Sequence, residues 1–118
     1  MNASEMKQRT KAFALSIINA VESLPRSRTA EVLGRQLLRC GTSVGANYRA
    51  ACRSRSPADF LSRMGVVEEE ADETIYWMEL LVDAGLVQAG AWKLLLKEAD
   101  ELVAMTVASI KTARGRTR

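Results

Sequence analysis

Arginines recur at helical spacing in the first half of the chain. On an ideal helical wheel five of them fall within an arc of about 80°; they are Arg28, Arg35, Arg39, Arg49 and Arg53. Guanidinium groups match phosphate oxygens, and like charges at this spacing repel each other unless an anion offsets them. These five residues, called the arginine ridge below, therefore predict contact with a nucleic-acid backbone.

A second group of cations lies at the carboxyl end of the chain, which has no acidic residue after Glu101. Short basic tails bind phosphate backbones without reading sequence. The predicted nucleic-acid-binding set therefore also includes Lys111, Arg114 and Arg116.

The charges are divided into blocks, and this division allows other interpretations of the ridge. Residues 26–63 contain eight arginines and two acids, a net charge of +6, whereas residues 68–83 contain seven acids and no base, a net charge of −7. The two blocks could neutralise each other within one subunit or between subunits. A solvated face is the third interpretation, because Glu31 precedes Arg35 by four residues in the favourable order.

The acidic block also carries large apolar side chains, and these predict an oligomer interface. Aromatic groups among exposed charges are typical of protein interfaces, and the residues concerned are Glu69, Glu73, Tyr76, Trp77 and Leu80. Since this face differs from the arginine ridge, identical subunits could associate head to tail and close into a ring. In that arrangement the arginines of one subunit would form ion pairs with Glu69, Glu73 and Glu79 of its neighbour.

Residues for catalysis or metal binding are scarce in this sequence. The chain has no histidine, which excludes His-dependent hydrolases and most zinc chemistry. The carboxylates from Glu68 to Glu73 point in successive directions on a helix, and no nitrogen or sulfur ligand accompanies them in the sequence. We therefore predict no catalytic residue, no metal site, no cofactor and no enzymatic activity.

The two cysteines indicate a reducing compartment. Cys40 and Cys52 lie in one predicted helix, about 18 Å apart along its axis, so they cannot form a disulfide with each other. We expect reduced thiols in a cytoplasmic protein. No stretch approaches the roughly 20 apolar residues that span a bilayer, so no membrane partner is expected.

Four amphipathic helices must position these residues. The clearest start is Ser56 as the cap, with Pro57 at the first position and Asp59 at capping-box spacing; Gly85 ends the same helix. The predicted helices run from Ser4 to Leu24, from Ser27 or Thr29 to Arg53, from Pro57 to Ala84, and from about residue 88–91 to Thr112. Short connections between long helices force neighbours to be antiparallel.

These elements predict an all-α fold, an antiparallel up-down-up-down four-helix bundle over residues 1–112, followed by a basic flexible tail over residues 113–118. In the third helix the predicted core residues are Phe60, Met64, Val67, Ala71, Thr74, Met78 and Leu81, and in the second helix they are Leu33, Leu37, Cys40, Val44, Tyr48 and Ala51. Between that core face and the arginine ridge runs a seam that would let another helix approach closely; it consists of Gly34, Leu38, Gly41, Gly45 and Cys52.

The second and third helices resemble a known family. The run TAEVLGRQLLRCGTSVG from Thr29 to Gly45, continued by ANYRAACRSRSPADFLSRMGVVEEEADETIYWMELL, is similar to the bacterial four-helix-bundle proteins of the 23S rRNA intervening sequences. The resemblance covers about residues 10–112. Its most specific positions are Glu31, Leu33, Gln36, Ser43, Val44, Ala46, Asn47, Ser56, Phe60 and Glu73. Many members follow the asparagine with isoleucine, alanine, glutamate and glycine, whereas this chain has Tyr48, Arg49, Ala50 and Ala51. The role of that glutamate therefore cannot be transferred to this chain.

The resemblance implies a bundle that assembles into a homopentameric ring, with no established enzymatic activity. The related accessory variability proteins of diversity-generating retroelements form basic pentamers that engage nucleic acid and a reverse transcriptase. Together these expectations describe a homo-oligomer, pentameric by resemblance, that binds RNA or DNA, with a reverse transcriptase as a further candidate partner. The alternative is a scaffold that binds only protein. The matched Ser43 and Asn47 are expected to form polar bonds between helices.

Overall fold

Polar side chains cap the first three helices as their sequence positions require. Asn2, Ser27 and Ser56 each accept a hydrogen bond from the backbone amide three residues later, which satisfies an amide that the first helical turn leaves free. The computed structural model describes residues 2–116, and its elements are α1 (Ala3–Glu22), α2 (Arg28–Ala51), α3 (Pro57–Asp83) and α4 (Lys93–Arg116).

The predicted all-α four-helix bundle is confirmed within this range. Each helix packs against two others, in the cyclic order α1, α2, α3, α4. The six residues of the predicted α3 seam from Met64 to Leu81 are completely buried, and Phe60 packs against the same core. None of the described helices is both long and apolar enough to cross a membrane.

Helices α1 and α2 approach each other closely along the predicted seam of small residues. A Cβ atom built on Gly41 would lie 2.7 Å from both Cγ atoms of Ile17, and one built on Gly45 would lie 3.1 Å from Thr10 Oγ1. The third glycine of the seam, Gly34, faces Leu24. Going from Gly45 to Gly41 along α2 toward its start, the contacted residue of α1 changes from Thr10 to Ile17. The two helices therefore run in opposite directions.

Helix α4 differs from the prediction at both ends. It begins at Lys93 rather than near residues 88–91, because Gly90 has a φ of 90° and Trp92 is buried ahead of the first turn. It continues past Thr112 to Arg116, so residues 113–116 of the predicted tail are helical. Basic residues near a helix C-terminus favour this extension. Residues 117 and 118 of the tail lie outside the described range.

Helices α1 and α4 pack less closely than the other neighbouring pairs, and an ion-pair cluster joins them. Arg9 donates from Nε to Glu98 Oε2 over 2.8 Å and from Nη2 to Glu98 Oε1 over 2.7 Å. Its Nη2 also lies 3.1 Å from Glu101 Oε2. The hydrogen bond from Arg9 lowers the pKa of Glu98 below its usual value, although partial burial opposes this shift.

Candidate nucleic-acid interface

The structure divides the arginine ridge into three parts. All five arginines are exposed, but α2 ends at Ala51 rather than at the predicted Arg53, so Arg53 lies in the turn that follows the helix. The guanidinium groups also have different neighbours. Near the start of the helix Arg35 bonds to Glu31 one turn earlier, whereas Arg28 makes no ion pair with any described residue. Arg39 turns toward α3, and Arg49 and Arg53 turn toward α1.

Arg39 is the one ridge residue that joins the two charge blocks within the subunit. Its Nη1 lies 3.3 Å from Glu70 Oε2, and its Nη2 lies 3.4 Å from Glu73 Oε1. Neutralisation between helices, one of the alternative interpretations of the ridge, therefore applies to Arg39. The scaffold hypothesis pairs Glu73 with an arginine of a neighbouring subunit. In the structure Glu73 contacts Arg39 of its own chain.

A buried thiol lies beside this ion pair. The Sγ atom of Cys40 and carboxylate oxygens of Glu70 and Glu73 all lie within 4.8 Å of one another. The packing of α2 on α3 thus places the sulfur atom of Cys40 beside the acidic block, although Cys40 lies far from that block in the sequence. Burial first, and then Glu73, raise the pKa of Cys40 to about 11. Arg39 Nη2 lies 3.1 Å from Sγ, so a guanidinium is the cation that occupies this cluster.

Four cations surround a groove between α1 and α2, called the basic groove below. Lys7 and Lys11 project from α1, Arg49 projects from the last turn of α2, and Arg53 projects from the turn that follows this helix. The groove has a volume of about 430 Å³ and no acidic residue lines it. None of the four cations makes an ion pair with another residue between 2 and 116.

Small side chains explain why the groove is open between two tightly packed helices. Its floor contains Gly45, Ala14 and Ala46, and the short polar side chain Thr42 lies beside them. Since Gly45 contacts Thr10 directly, the backbones are close and the long cationic side chains extend above them. The sequence pattern predicts Arg49 and Arg53 as binding residues but does not single out Lys7 and Lys11. The available signal was their four-residue spacing, which places both on one face of α1.

The predicted basic tail lies at the same end of the bundle as the basic groove. Lys111, Arg114 and Arg116 are exposed along the last turns of α4. Arg116 lines a cavity with Ala3 and Cys52, and Cys52 directly precedes Arg53 in the chain. Cations from three helices are therefore concentrated at one end of the bundle.

The outer face of α3 is less aromatic than the sequence predicts. Glu69 is exposed and Tyr76 is 54% exposed, but Leu80 is half-buried and Trp77 packs against the core. The expectation that Trp77 points outward is wrong. On an ideal wheel Trp77 lies about 90° from the middle of the apolar seam, so its long side chain can pack against the edge of the core. Its ring still contacts Tyr76 edge-on, with centroids 5.2 Å apart.

The expectation that Ser43 and Asn47 form polar bonds between helices is also wrong. Asn47 Nδ2 donates to the backbone oxygen of Ser43 over 2.8 Å, one turn back in the same helix. This local acceptor is available to an amide side chain four residues later, so the hydrogen bond of Asn47 stays within α2.

Comparison with known proteins agrees with this architecture. The family model described as 23S rRNA-intervening sequence protein matches residues 2–108. A crystal structure of a protein of unknown function from the S23 ribosomal protein family of Bacteroides thetaiotaomicron VPI-5482 is similar, with a TM-score of 0.87 and 32% sequence identity. The match covers 94% of this chain and 99% of that chain. No curated protein matches the chain.

Proposed function

This chain belongs to the 23S rRNA-intervening sequence protein family, and from that premise we propose that it is a non-enzymatic, homo-oligomeric bundle that binds nucleic-acid backbone. The basic groove between α1 and α2 is the proposed contact surface. Lys111, Arg114 and Arg116 extend it along the same end of the bundle. Two free cysteines, Cys40 and Cys52, favour a reducing cytoplasmic location.

One observation carries this proposal: Lys7, Lys11, Arg49 and Arg53 converge on an open groove without a carboxylate among them. Four positive charges held close together repel one another. An anion in the groove would relieve that repulsion, and a phosphate backbone supplies several anionic groups at once. This arrangement favours nucleic acid over the solvated-face interpretation for these four residues.

The groove composition argues against sequence-specific recognition. No aromatic residue lines it, so it offers no platform on which bases could stack. Lysine and arginine contacts to phosphates fix position without carrying base information. We therefore expect binding that is insensitive to base sequence and sensitive to salt.

The ridge residues outside the groove have a smaller role in this proposal. Arg39 and Arg35 already contact carboxylates of the same chain. Arg28 lies in the first turn of α2, far along the helix from Arg49 and Arg53. Removing Arg28 and Arg35 should therefore change nucleic-acid affinity less than removing Arg49 and Arg53.

A matched pair of double variants tests the proposal. Arg49→Ala/Arg53→Ala removes two groove cations, and Arg28→Ala/Arg35→Ala removes the same charge from α2 outside the groove. Fluorescence anisotropy with a labelled single-stranded RNA should show a large loss of affinity for the first variant and a small one for the second. Equal losses would assign binding to net charge alone. An unchanged affinity of the groove variant would overturn the proposed site.

The second candidate function is a protein-binding scaffold, and the exposed ring of Tyr76 beside Glu69 and Asp72 favours it. Aromatic side chains among charges are frequent at the centre of interfaces. We propose this face of α3 as the subunit contact of a homo-oligomer, with five subunits as the number that the family resemblance suggests. A reverse transcriptase is the proposed protein partner on the same ground.

A further inference from the structure

The floor of the basic groove differs from its walls in hydrogen-bonding character. Thr42 lines the groove on the α2 side. Its hydroxyl donates to the backbone oxygen of Leu38 over 2.7 Å and lies 3.3 Å from that of Arg39. Because its one proton is used inside α2, the remaining lone pairs of Thr42 Oγ1 can only accept a hydrogen bond.

An acceptor on the floor of an anion-binding groove has a specific chemical consequence. Phosphodiester oxygens carry no proton at neutral pH, so they cannot donate to Thr42. Deoxyribose lacks a hydroxyl at the 2′ position, whereas the ribose 2′-hydroxyl both donates and accepts. Within a sugar–phosphate backbone, ribose is the unit that can donate to this oxygen.

The other groove residues do not provide this discrimination. Thr10 also lines the groove, but its side chain is completely buried beneath Gly45. Gln8 is exposed, and its amide can donate to a phosphate as readily as it can accept from a sugar, so it does not by itself select ribose. The four cations donate to phosphates of either kind of backbone. Thr42 is therefore the position at which a sugar can be distinguished.

We propose that the basic groove selects single-stranded RNA over single-stranded DNA, with Thr42 Oγ1 accepting a hydrogen bond from a ribose 2′-hydroxyl. This inference rests on the proposed backbone-binding function and adds the substrate class. The small, exposed side chain of Ala46 lets a sugar approach α2 while its phosphates contact the cations on both walls. The groove lies between two helices in close contact, a shape that suits one strand.

The test compares three strands of equal length and identical base: oligouridylate, oligodeoxyuridylate and 2′-O-methyl-oligouridylate. The methylated strand keeps the 2′ oxygen but loses its proton. We expect oligouridylate to bind about three- to tenfold more tightly than the deoxy strand, the range of one net hydrogen bond. The methylated strand should bind as weakly as the deoxy strand.

Two variants connect the preference to Thr42. Thr42→Val keeps the shape and removes the acceptor, so the ratio of oligouridylate affinity to deoxy-strand affinity should fall to about one. The matched control is Thr74→Val, because Thr74 donates to Glu70 O over 2.7 Å in the same manner but lies on α3, outside the groove. This control should retain the full preference.

The remaining outcomes separate the two proposals. Equal binding of the ribose and deoxyribose strands would overturn the RNA preference and leave backbone binding intact. Tight binding of the methylated strand, or a preference that survives Thr42→Val, would also overturn the role of Thr42. If none of the strands binds in low salt, the proposed function fails and the preference fails with it.

Discussion

Gly41 of α2 lies against Ile17 of α1 with no space for a side chain between them. A Cβ atom at Gly41 would meet the branch point of Ile17 at 3.0 Å and both of its Cγ atoms at 2.7 Å. This contact holds the two helices together one turn from Gly45, which forms the groove floor. Close packing of α1 on α2 therefore brings the lysines of one helix to the arginines of the other.

Substitution of Gly41 tests this close approach. Gly41→Ala should destabilise the protein by about 1–3 kcal/mol through overpacking, although alanine favours a helix by about 1 kcal/mol over glycine. The matched control is Gly65→Ala in α3, where nothing lies within 4 Å of the added carbon. That variant should be more stable than the wild type. Urea unfolding followed by circular dichroism measures both, and equal stability of the two variants would contradict the packing described for α1 and α2.

The Arg9–Glu98 pair predicts a pH-dependent contribution to stability. Its pairing lowers the pKa of folded Glu98 below the usual 4.5, so the stabilisation is complete above that pH and is lost as the pH falls through the lowered pKa. At neutral pH Glu98→Gln should cost about 1 kcal/mol. The difference from the wild type should vanish in strong acid. Glu101→Gln, which removes the longer contact, should show a smaller effect, and a constant difference at all pH values would refute the pairing.

The sequence predicts the helices and the core because these depend on local patterns. Alternating steps of three and four residues identify the buried face of α3, and the Ser56 cap with Pro57 identifies its first turn. The sequence predicts an end of α4 at Thr112, which is too early, because neither the cations that follow nor the single glycine Gly115 ends the helix before Arg116. Local propensity leaves that boundary open.

The candidate site is harder to predict because it arises from contacts between helices. Lys7 and Lys11 look like solvated positions in α1 until packing brings Arg49 and Arg53 beside them. Likewise, neither the spacing of the acids nor that of the cysteines indicates that Cys40 meets Glu73. A helical wheel gives the face of a residue, but the identity of the neighbouring helix on that side comes from tertiary packing.

The two cysteines should differ sharply in reactivity. Cys40 is completely buried and its pKa is raised to about 11, whereas Cys52 is half-buried. Since the thiolate is the reactive form, iodoacetamide in mildly alkaline buffer should modify Cys52 well before Cys40. Peptide mapping by mass spectrometry distinguishes them. Both should react rapidly in urea, and equal rates in the native protein would contradict the burial of Cys40.

The proposed subunit contact on α3 predicts a change in mass without a change in fold. Tyr76→Ala removes an exposed ring, so monomer stability should change by about 0.5 kcal/mol or less, while light scattering should show a smaller assembly. Leu94→Ala is the control, because Leu94 is 81% exposed on α4 and lies outside the face of α3 that carries Tyr76. An unaltered mass for Tyr76→Ala would count against this interface.

The salt dependence of single-stranded RNA binding tests the central claim most directly, because it counts the phosphates that the basic groove neutralises. The logarithm of the association constant should fall with the logarithm of the salt concentration by about 0.7 per neutralised phosphate. We predict that Arg49→Ala/Arg53→Ala makes this slope shallower by about 1.4, and that Arg28→Ala/Arg35→Ala leaves it close to the wild-type value. Identical slopes for the wild type and the groove variant, in oligomers of equal mass, would contradict the assignment of binding to this groove.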